Sequence, residues 1–327
     1  MRFLLRRLGF YALAAWTALT INFLLPRLMP GDPAAALFAR FKGKLHPEAI
    51  ASLRQAFGLT DEPLPLQYLS YLSHVVRGDL GVSIAYFPAP VSQVIATGLL
   101  WSGFLAGASL VLSFAIGTLL GVLAAWFRGG LFDKIAAPLF ALLGAFPYFW
   151  LALALLYVLG FQHGWFPLGH AYDDDLHPGF NAPFIADVIR HAALPIASIV
   201  LANIGTWLLG MRNTMITVLG SEPVLLARSA GLSSWKVAVR TAARNALLPN
   251  VTGFGMALGY VLAGSLLTEI VFSYPGQGYL LVQAVRSQDY PLMQGIFLVI
   301  TLAVLGANWF VDLALLFLDP RTREASR

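Results

Sequence analysis

"ARSAGLSSWKVAVRTAARNALLP" runs from Ala227 to Pro249 and sets Arg228, Lys236, Arg240 and Arg244 between two apolar runs. Upstream, Ser221 can cap a helix start, with Glu222 and Pro223 in its first turn. That helix is expected to run to about Ala230, where Gly231 suits the left-handed residue that ends it. Ser233 or Ser234 can cap a second helix, on which Lys236, Arg240 and Arg244 recur every four residues as a basic stripe. Trp235, Val239, Ala242, Ala243 and Ala246 form the opposing apolar stripe. The pattern predicts a helix, an elbow and a second helix lying on a membrane face, with Pro249 leading into the next span. Two readings of it stand on the residues alone. One is a basic amphipathic loop resting on anionic lipid. The other is a docking element that fits a groove in a soluble partner.

The surroundings decide the fold class. Of 327 residues, 58% are hydrophobic and 11% charged, against about a quarter charged in a soluble domain. The mean hydropathy is +0.73. Long continuous apolar runs, rather than short alternating segments, exclude a β-barrel and predict an all-α polytopic membrane protein. Six spans are expected, near Leu8–Leu25, Thr97–Phe127, Ile135–Gly160, Ala192–Met211, Asn250–Thr268 and Gly295–Phe317. The second is long for a perpendicular crossing and should tilt or project into water. Pro138, Pro147 and Pro195 fall within or near spans, where neighbouring helices can satisfy the freed carbonyls. The apolar stretch from Leu8 to Pro26 is long for a cleaved leader and reads as a retained first span.

Charge orients the chain. With the N-terminus inside, 13 of the 21 basic residues fall in the short inner segments, as the positive-inside rule requires. The Asp173, Asp174 and Asp175 cluster and all six histidines then lie outside, and both termini are cytoplasmic. The net charge of +5 therefore marks membrane edges and not nucleic-acid binding. The segments read as an N-terminal span at 1–26, an extracytoplasmic subdomain at 27–96, and a core of five further spans at 97–327 holding an inner loop at 212–249. The subdomain includes an amphipathic helix candidate, "HPEAIASLRQAFGL".

Motor and catalytic chemistry are missing from the sequence. Ion-driven carriers commonly place ionisable residues inside the membrane. Here Glu269 and Asp312 stand near span ends and read as groups snorkelling to the interface or paired with a neighbouring helix. Gly43-Lys44 lacks the rest of a P-loop, and H-E-x-x-H and G-x-S-x-G are absent. There is no cysteine, so no thiolate site or disulfide. Energy is expected from a partner.

The opening stretch resembles the cytoplasmic coupling loop of ABC-transporter permeases, in the form found in the peptide/nickel/oligopeptide importers. The match rests on Ala227-Arg228, Gly231-Leu232 and Arg244-Asn245-Ala246-Leu247-Leu248-Pro249. The Glu-Ala-Ala that names the general motif would fall on Leu225-Leu226-Ala227, so its Glu is missing here. "LPRLMPGDPAA" (Leu25 to Ala35), "VFSYPGQGYLLVQAVRSQDYPLMQG" (Val271 to Gly295) and "DLALLFLDPR" (Asp312 to Arg321) are similar to further segments of the DppB/OppB-type permease. The large loop after the first span agrees with that type.

The resemblance implies a type I ABC importer permease fold in the bacterial or archaeal inner membrane. It implies a second homologous permease (DppC/OppC-type), two cytoplasmic ATPases that bind ATP and Mg, and an extracytoplasmic solute-binding protein. It implies no cofactor, metal or catalytic residue in this chain. Coupling to the ATPase would fall on Glu222, Leu225, Ala227, Arg228, Gly231, Leu232 and Ser233. The substrate class it implies is di- or oligopeptide, with oligosaccharide and nickel as alternatives. A secondary carrier is the competing class. Candidates for the translocation path are Phe146, Tyr148, Phe149 and Asn203, although aromatics beside Pro147 also read as packing. The outer loop with His163, His170, Asp173, Asp174, Asp175 and His177 reads either as a metal or substrate gate or as a solvated loop touching the binding protein.

Overall fold

A computed structural model describes residues 2–28, 62–258 and 265–318. The amphipathic candidate at 46–59, most of "LPRLMPGDPAA", the middle of the fifth expected span and the end of "DLALLFLDPR" lie outside the described residues, as does the side chain of Asp312. No strand occurs among the described residues, which hold one isolated bridge between Val82 and Pro90.

The helices are α1 (Arg2–Leu28), α2 (Leu64–Val76), α3 (Val91–Trp126), α4 (Leu131–Ala145), α5 (Tyr148–Leu155) with a π-helical extension Leu156–Gln162, and α6 (Ala182–Leu219). After these come α7 (Glu222–Ser229), a turn at Ser234–Lys236, a π-helical segment Val237–Ala243 and α8 (Arg244–Leu258). The chain ends with α9 (Leu266–Val271), α10 (Gln277–Arg286) and α11 (Tyr290–Leu318). α3, α6 and residues 290–309 of α11 are long and apolar enough to cross a bilayer. α4 with α5 and its extension makes a fourth crossing if that bent pair counts as one.

Three spans differ from expectation in instructive ways. α3 has 36 residues and α6 has 38, so each is ~55 Å long at the α-helical rise. Both extend well beyond their apolar centres, because hydropathy marks the bilayer and not the helix ends. The third expected span is broken. α4 and α5 meet at a bend of 98°. Pro147 has no amide hydrogen and disfavours helical backbone at the residue before it, and Phe146 is extended at φ −81°, ψ 137°. Pro138 and Pro195, by contrast, sit inside α4 and α6.

The described residues group into two compact units. The first holds the chain up to Ser102 and from Pro275 onward. Its core is Val91, Val94, Ile95, Leu280, Ala284, Tyr290, Leu292, Met293 and Ile296. Asn22 of α1 donates to the Gln294 carbonyl at 2.7 Å, and Gln294 donates back to the Asn22 carbonyl at 3.2 Å. This reciprocal amide pair ties α1 to α11 where apolar surface alone gives no preference for a partner helix. Asp289 caps α11 by accepting from Leu292 N–H at 3.0 Å, and it also accepts from Ser83 Oγ and from Ala85 N–H at 2.8 Å. Burial pushes its carboxyl above the usual range, and these donors oppose that rise.

The second unit, Gly103–Tyr274, is centred on α6. Gly117 and Gly121 of α3 lie against the α6 backbone, and Gly205 of α6 lies against the backbone of Phe140 in α4. Glu269 is 1% exposed and accepts a hydrogen bond from Ser265 Oγ at 2.6 Å. It is therefore not snorkelling to an interface.

Candidate functional site

The loop between α6 and α8 folds as an elbow on a buried base. Val224 of α7 packs with Val237, Ala238, Ala242 and Ala246, and these rest on Met211 and Met215 of α6 and Ala125 of α3. α7 ends at Gly231, whose φ is +77°. Gly231 N–H bonds the Arg228 carbonyl at 3.0 Å, and Leu232 N–H bonds the Ala227 carbonyl at 3.2 Å. That pair of bonds is the Schellman closure of a helix end, which needs a left-handed residue at the glycine position. Ser221 stands at the N-cap of α7, yet its hydroxyl donates back to the Val218 carbonyl at 2.6 Å rather than capping the helix.

Anchoring Val224 inward leaves its neighbours outward. Leu225 is 53% exposed, Leu226 72% and Leu232 47%, and Glu222, Arg228 and Ser233 are also exposed. Ala227 is half-buried. Apolar side chains standing clear of the protein beside acidic and basic groups suit a protein groove. Lys236, Arg240 and Arg244 are exposed as expected. The apolar stripe differs from expectation: Trp235 and Val239 are exposed, while Val237 and Ala238 join Ala242 and Ala246 inside. The reason is the π-helical winding of Val237–Ala243. Each π turn takes in one residue more than an α turn and rotates the buried face.

A buried ion pair braces the base of the elbow. Arg212 of α6 donates from Nε to Asp133 Oδ1 at 2.6 Å and from Nη2 to Oδ2 at 2.9 Å. Gly129, at φ +76°, adds its N–H to Asp133 Oδ2 at 3.0 Å. The side chains are 6% exposed for Asp133 and 22% for Arg212. Breaking a fully buried pair by removing one partner costs about 3–5 kcal/mol, and the partial exposure of Arg212 reduces this to about 2–3 kcal/mol. Asp133→Ala is expected to lower resistance to denaturant by that amount in mixed micelles. A loss below about 0.5 kcal/mol, the level of a surface substitution, would show that the pair does not hold α4 to α6.

The path candidates gather at the α4–α5 break. Phe146 is exposed at the bend, and Tyr148 and Phe149 are half-buried in the first turn of α5. A Cβ at Gly144 would lie 3.2 Å from the Ala202 carbonyl, which brings exposed Asn203 of α6 into the same neighbourhood. The Asn203 amide donates to the Ile199 carbonyl at 2.8 Å. In the outer loop His163, His170 and His177 are exposed. Among the described residues, Asp173 is the loop residue that joins a cluster of metal-ligating types, with Asp187 and His191 of α6.

Among the described residues, helices long and apolar enough to cross a membrane and an exposed elbow between α6 and α8 fit a membrane subunit. Residues 117–324 match the family described as "Binding-protein-dependent transport system inner membrane component", and residues 1–94 match the N-terminal part of such components. The chain belongs to this family of inner-membrane permease subunits of ABC transport systems. It is 37% identical to a putative peptide permease protein of Brucella suis, over 99% of each chain. It is 35% identical to the di/tripeptide transport system permease protein DppB of Pseudomonas aeruginosa, and 34% identical to the dipeptide transport system permease protein DppB of Escherichia coli, again over 99% of each chain. A component of such a system sits in the inner membrane and depends on a solute-binding protein.

Proposed function

We propose that this chain forms half of the translocation path of an ATP-driven importer of di- or oligopeptides, beside a second homologous permease. The names of its full-length relatives support the peptide class. Two cytoplasmic ATPases hold the ATP and Mg²⁺. They dock on α7 and its elbow, with Leu225, Leu226 and Leu232 filling a groove, Arg228 pairing with a groove carboxylate, and Gly231 fixing the angle. Glu222, Ala227 and Ser233 frame that surface. The observation that carries this reading is the exposure of Leu225 and Leu226 on a short helix, and of Leu232 just past its elbow, while the other side of that helix is anchored through fully buried Val224.

Both termini and residues 212–249 face the cytoplasm in this arrangement, and 27–96 lies outside. Closure of the ATPases pushes α7, and the packed base transmits the push to α6. Asn203 and the aromatics at the α4–α5 break then change which side they face. The break suits this role because non-helical backbone at membrane depth is tolerated where it lines a cavity.

The test is purification of the tagged chain from native membranes in mild detergent, with mass spectrometry of what accompanies it. A second permease and Walker-motif ATPases are expected. A chain that remains alone after crosslinking would remove the docking reading. Reconstituted with those partners and the binding protein, it should accumulate a labelled dipeptide. Uptake competed by an oligosaccharide or by Ni²⁺, and not by dipeptides, would reassign the substrate.

A further inference from the structure

His191 is a buried ionisable group that the transport reading leaves unused. It lies on α6 one turn after Asp187, and its side chain is 3% exposed. Its Nδ1 is 3.0 Å from the Asp187 carbonyl oxygen. A carbonyl can only accept, so Nδ1 carries a hydrogen, and Nε2 is the nitrogen left to take a proton or a metal ion. Nε2 faces an anion: Asp173 Oδ1 lies 3.5 Å from it. Asp187 Oδ2 lies 3.3 Å from Nδ1 and also accepts the Asp173 backbone N–H at 2.8 Å. Asp173 is thereby fixed against α6 although it belongs to the preceding loop. One ligand atom from each of the three residues lies within 4.8 Å of the others. Among the described residues neither carboxylate has a lysine or arginine partner. Two carboxylates flank one buried imidazole, and the arrangement calls for a positive charge among them.

We propose that Asp173, Asp187 and His191 bind a divalent transition-metal cation of the zinc type and thereby cross-link the loop before α6 to its N-terminal end. The donor set selects the class. An imidazole nitrogen with carboxylate oxygens suits Zn²⁺, Co²⁺, Ni²⁺ or Mn²⁺, whereas Cu⁺ needs sulfur and Ca²⁺ and Mg²⁺ take oxygen. A ligating histidine usually fixes its tautomer by donating its other N–H to a carbonyl or carboxylate, and the Asp187 backbone carbonyl accepts from Nδ1 here. Three protein ligands leave a position for water. The 68% exposure of the Asp173 side chain gives the ion a way in. The competing occupant is a proton, which would make His191 an imidazolium held between two carboxylates. The proposal stands independently of the transport reading.

The experiment uses the full chain in lipid nanodiscs, purified without a polyhistidine tag and stripped with chelator. Co²⁺ and Zn²⁺ are titrated by equilibrium dialysis with metal counting, and Co²⁺ coordination is followed by visible absorption. One equivalent per chain is expected. His191→Gln and Asp173→Asn should each weaken binding at least about tenfold, since even losing a group that only orients a ligand costs 10–100-fold. His177→Gln should bind as the parent does. Asp173→Asn is the decisive variant, because an exposed isosteric change does not threaten folding. Absence of a stoichiometric site, binding that survives Asp173→Asn unchanged, or binding lost in His177→Gln would overturn the metal site and leave the imidazolium.

Discussion

Gly231→Val is expected to abolish ATP-driven uptake while the protein still inserts in the membrane. Gly231 sits at φ +77° with nothing within 4 Å of where a Cβ would go. The substitution therefore meets no clash, and its whole cost is backbone strain. A β-branched residue at positive φ is a genuine outlier, and such strain costs about 1–3 kcal/mol. The chain can relieve it by unwinding the elbow, losing the Gly231 N–H bond to Arg228 and the Leu232 N–H bond to Ala227. The buried base from Ala125 to Ala246 does not include Gly231, so insertion and global stability should hold. What moves is Leu232 relative to Leu225, the surface we assign to the ATPase. Uptake in cells should fall more than about tenfold, a coupling loss of more than about 1.4 kcal/mol. Gly231→Asn should keep a substantial part of it, because asparagine tolerates the left-handed region. Gly164 supplies the control: it has φ +63° and equally open surroundings in the loop before α6. Gly164→Val carries comparable strain and should leave uptake largely intact. Normal uptake by an inserted Gly231→Val protein would remove the elbow from the coupling machinery.

The elbow was legible because its signals are local. A glycine after a capped amphipathic turn says where the helix stops, and the four-residue recurrence of Lys236, Arg240 and Arg244 says which side is wet. The π-helical winding of Val237–Ala243 has no comparable signature, so the buried stripe was displaced onto Trp235 and Val239. The bend at Phe146-Pro147 was half legible. Proline announces a disturbance, but a uniformly apolar run cannot say whether it kinks one helix or divides two. Long-range partners were not legible at all. Asp133 and Arg212 are 79 residues apart, and each alone reads as an inner-face charge. Asp187 and His191 have the i, i+4 spacing of one helix face, but nothing in "DDD" says that Asp173 is the carboxylate that turns toward them. A small-xxx-small pattern, Gly117 to Gly121, marks a close approach of α3 to α6.

Gly121→Leu is expected to prevent α3 and α6 from packing, with a larger stability loss than Asp133→Ala. A Cβ at Gly121 would lie 2.6 Å from the Leu208 carbonyl oxygen, 2.7 Å from Met211 Cβ and 3.1 Å from Arg212 N. At Gly117 it would lie 2.6 Å from Trp207 Cβ and 2.8 Å from the Ile204 carbonyl oxygen. Most of these atoms are backbone, so no rotamer change relieves the overlap, and the helices must separate. Inside a bilayer, separated helices simply repack with lipid, and apolar surface supplies no force to rejoin them. Overpacking costs about 1–3 kcal/mol where side chains can yield, and more is expected here. Gly121→Ala should show an intermediate loss, and Gly117→Ala a similar one. Gly107, on the same helix, has nothing within 4 Å of a Cβ. Gly107→Ala should be neutral or stabilising by up to about 1 kcal/mol, the helix-propensity gain of alanine. The functional consequence follows from Arg212 and Met211. Displacing α6 at Gly121 moves the arginine away from Asp133 and the methionine away from the base under α7. Uptake should therefore fall in Gly121→Ala further than the amount of folded protein does. Denaturant resistance in mixed micelles and uptake per inserted chain measure the two quantities separately. Equal stability of Gly121→Leu and Gly107→Ala would show that the close approach of α3 and α6 is not what holds this unit together.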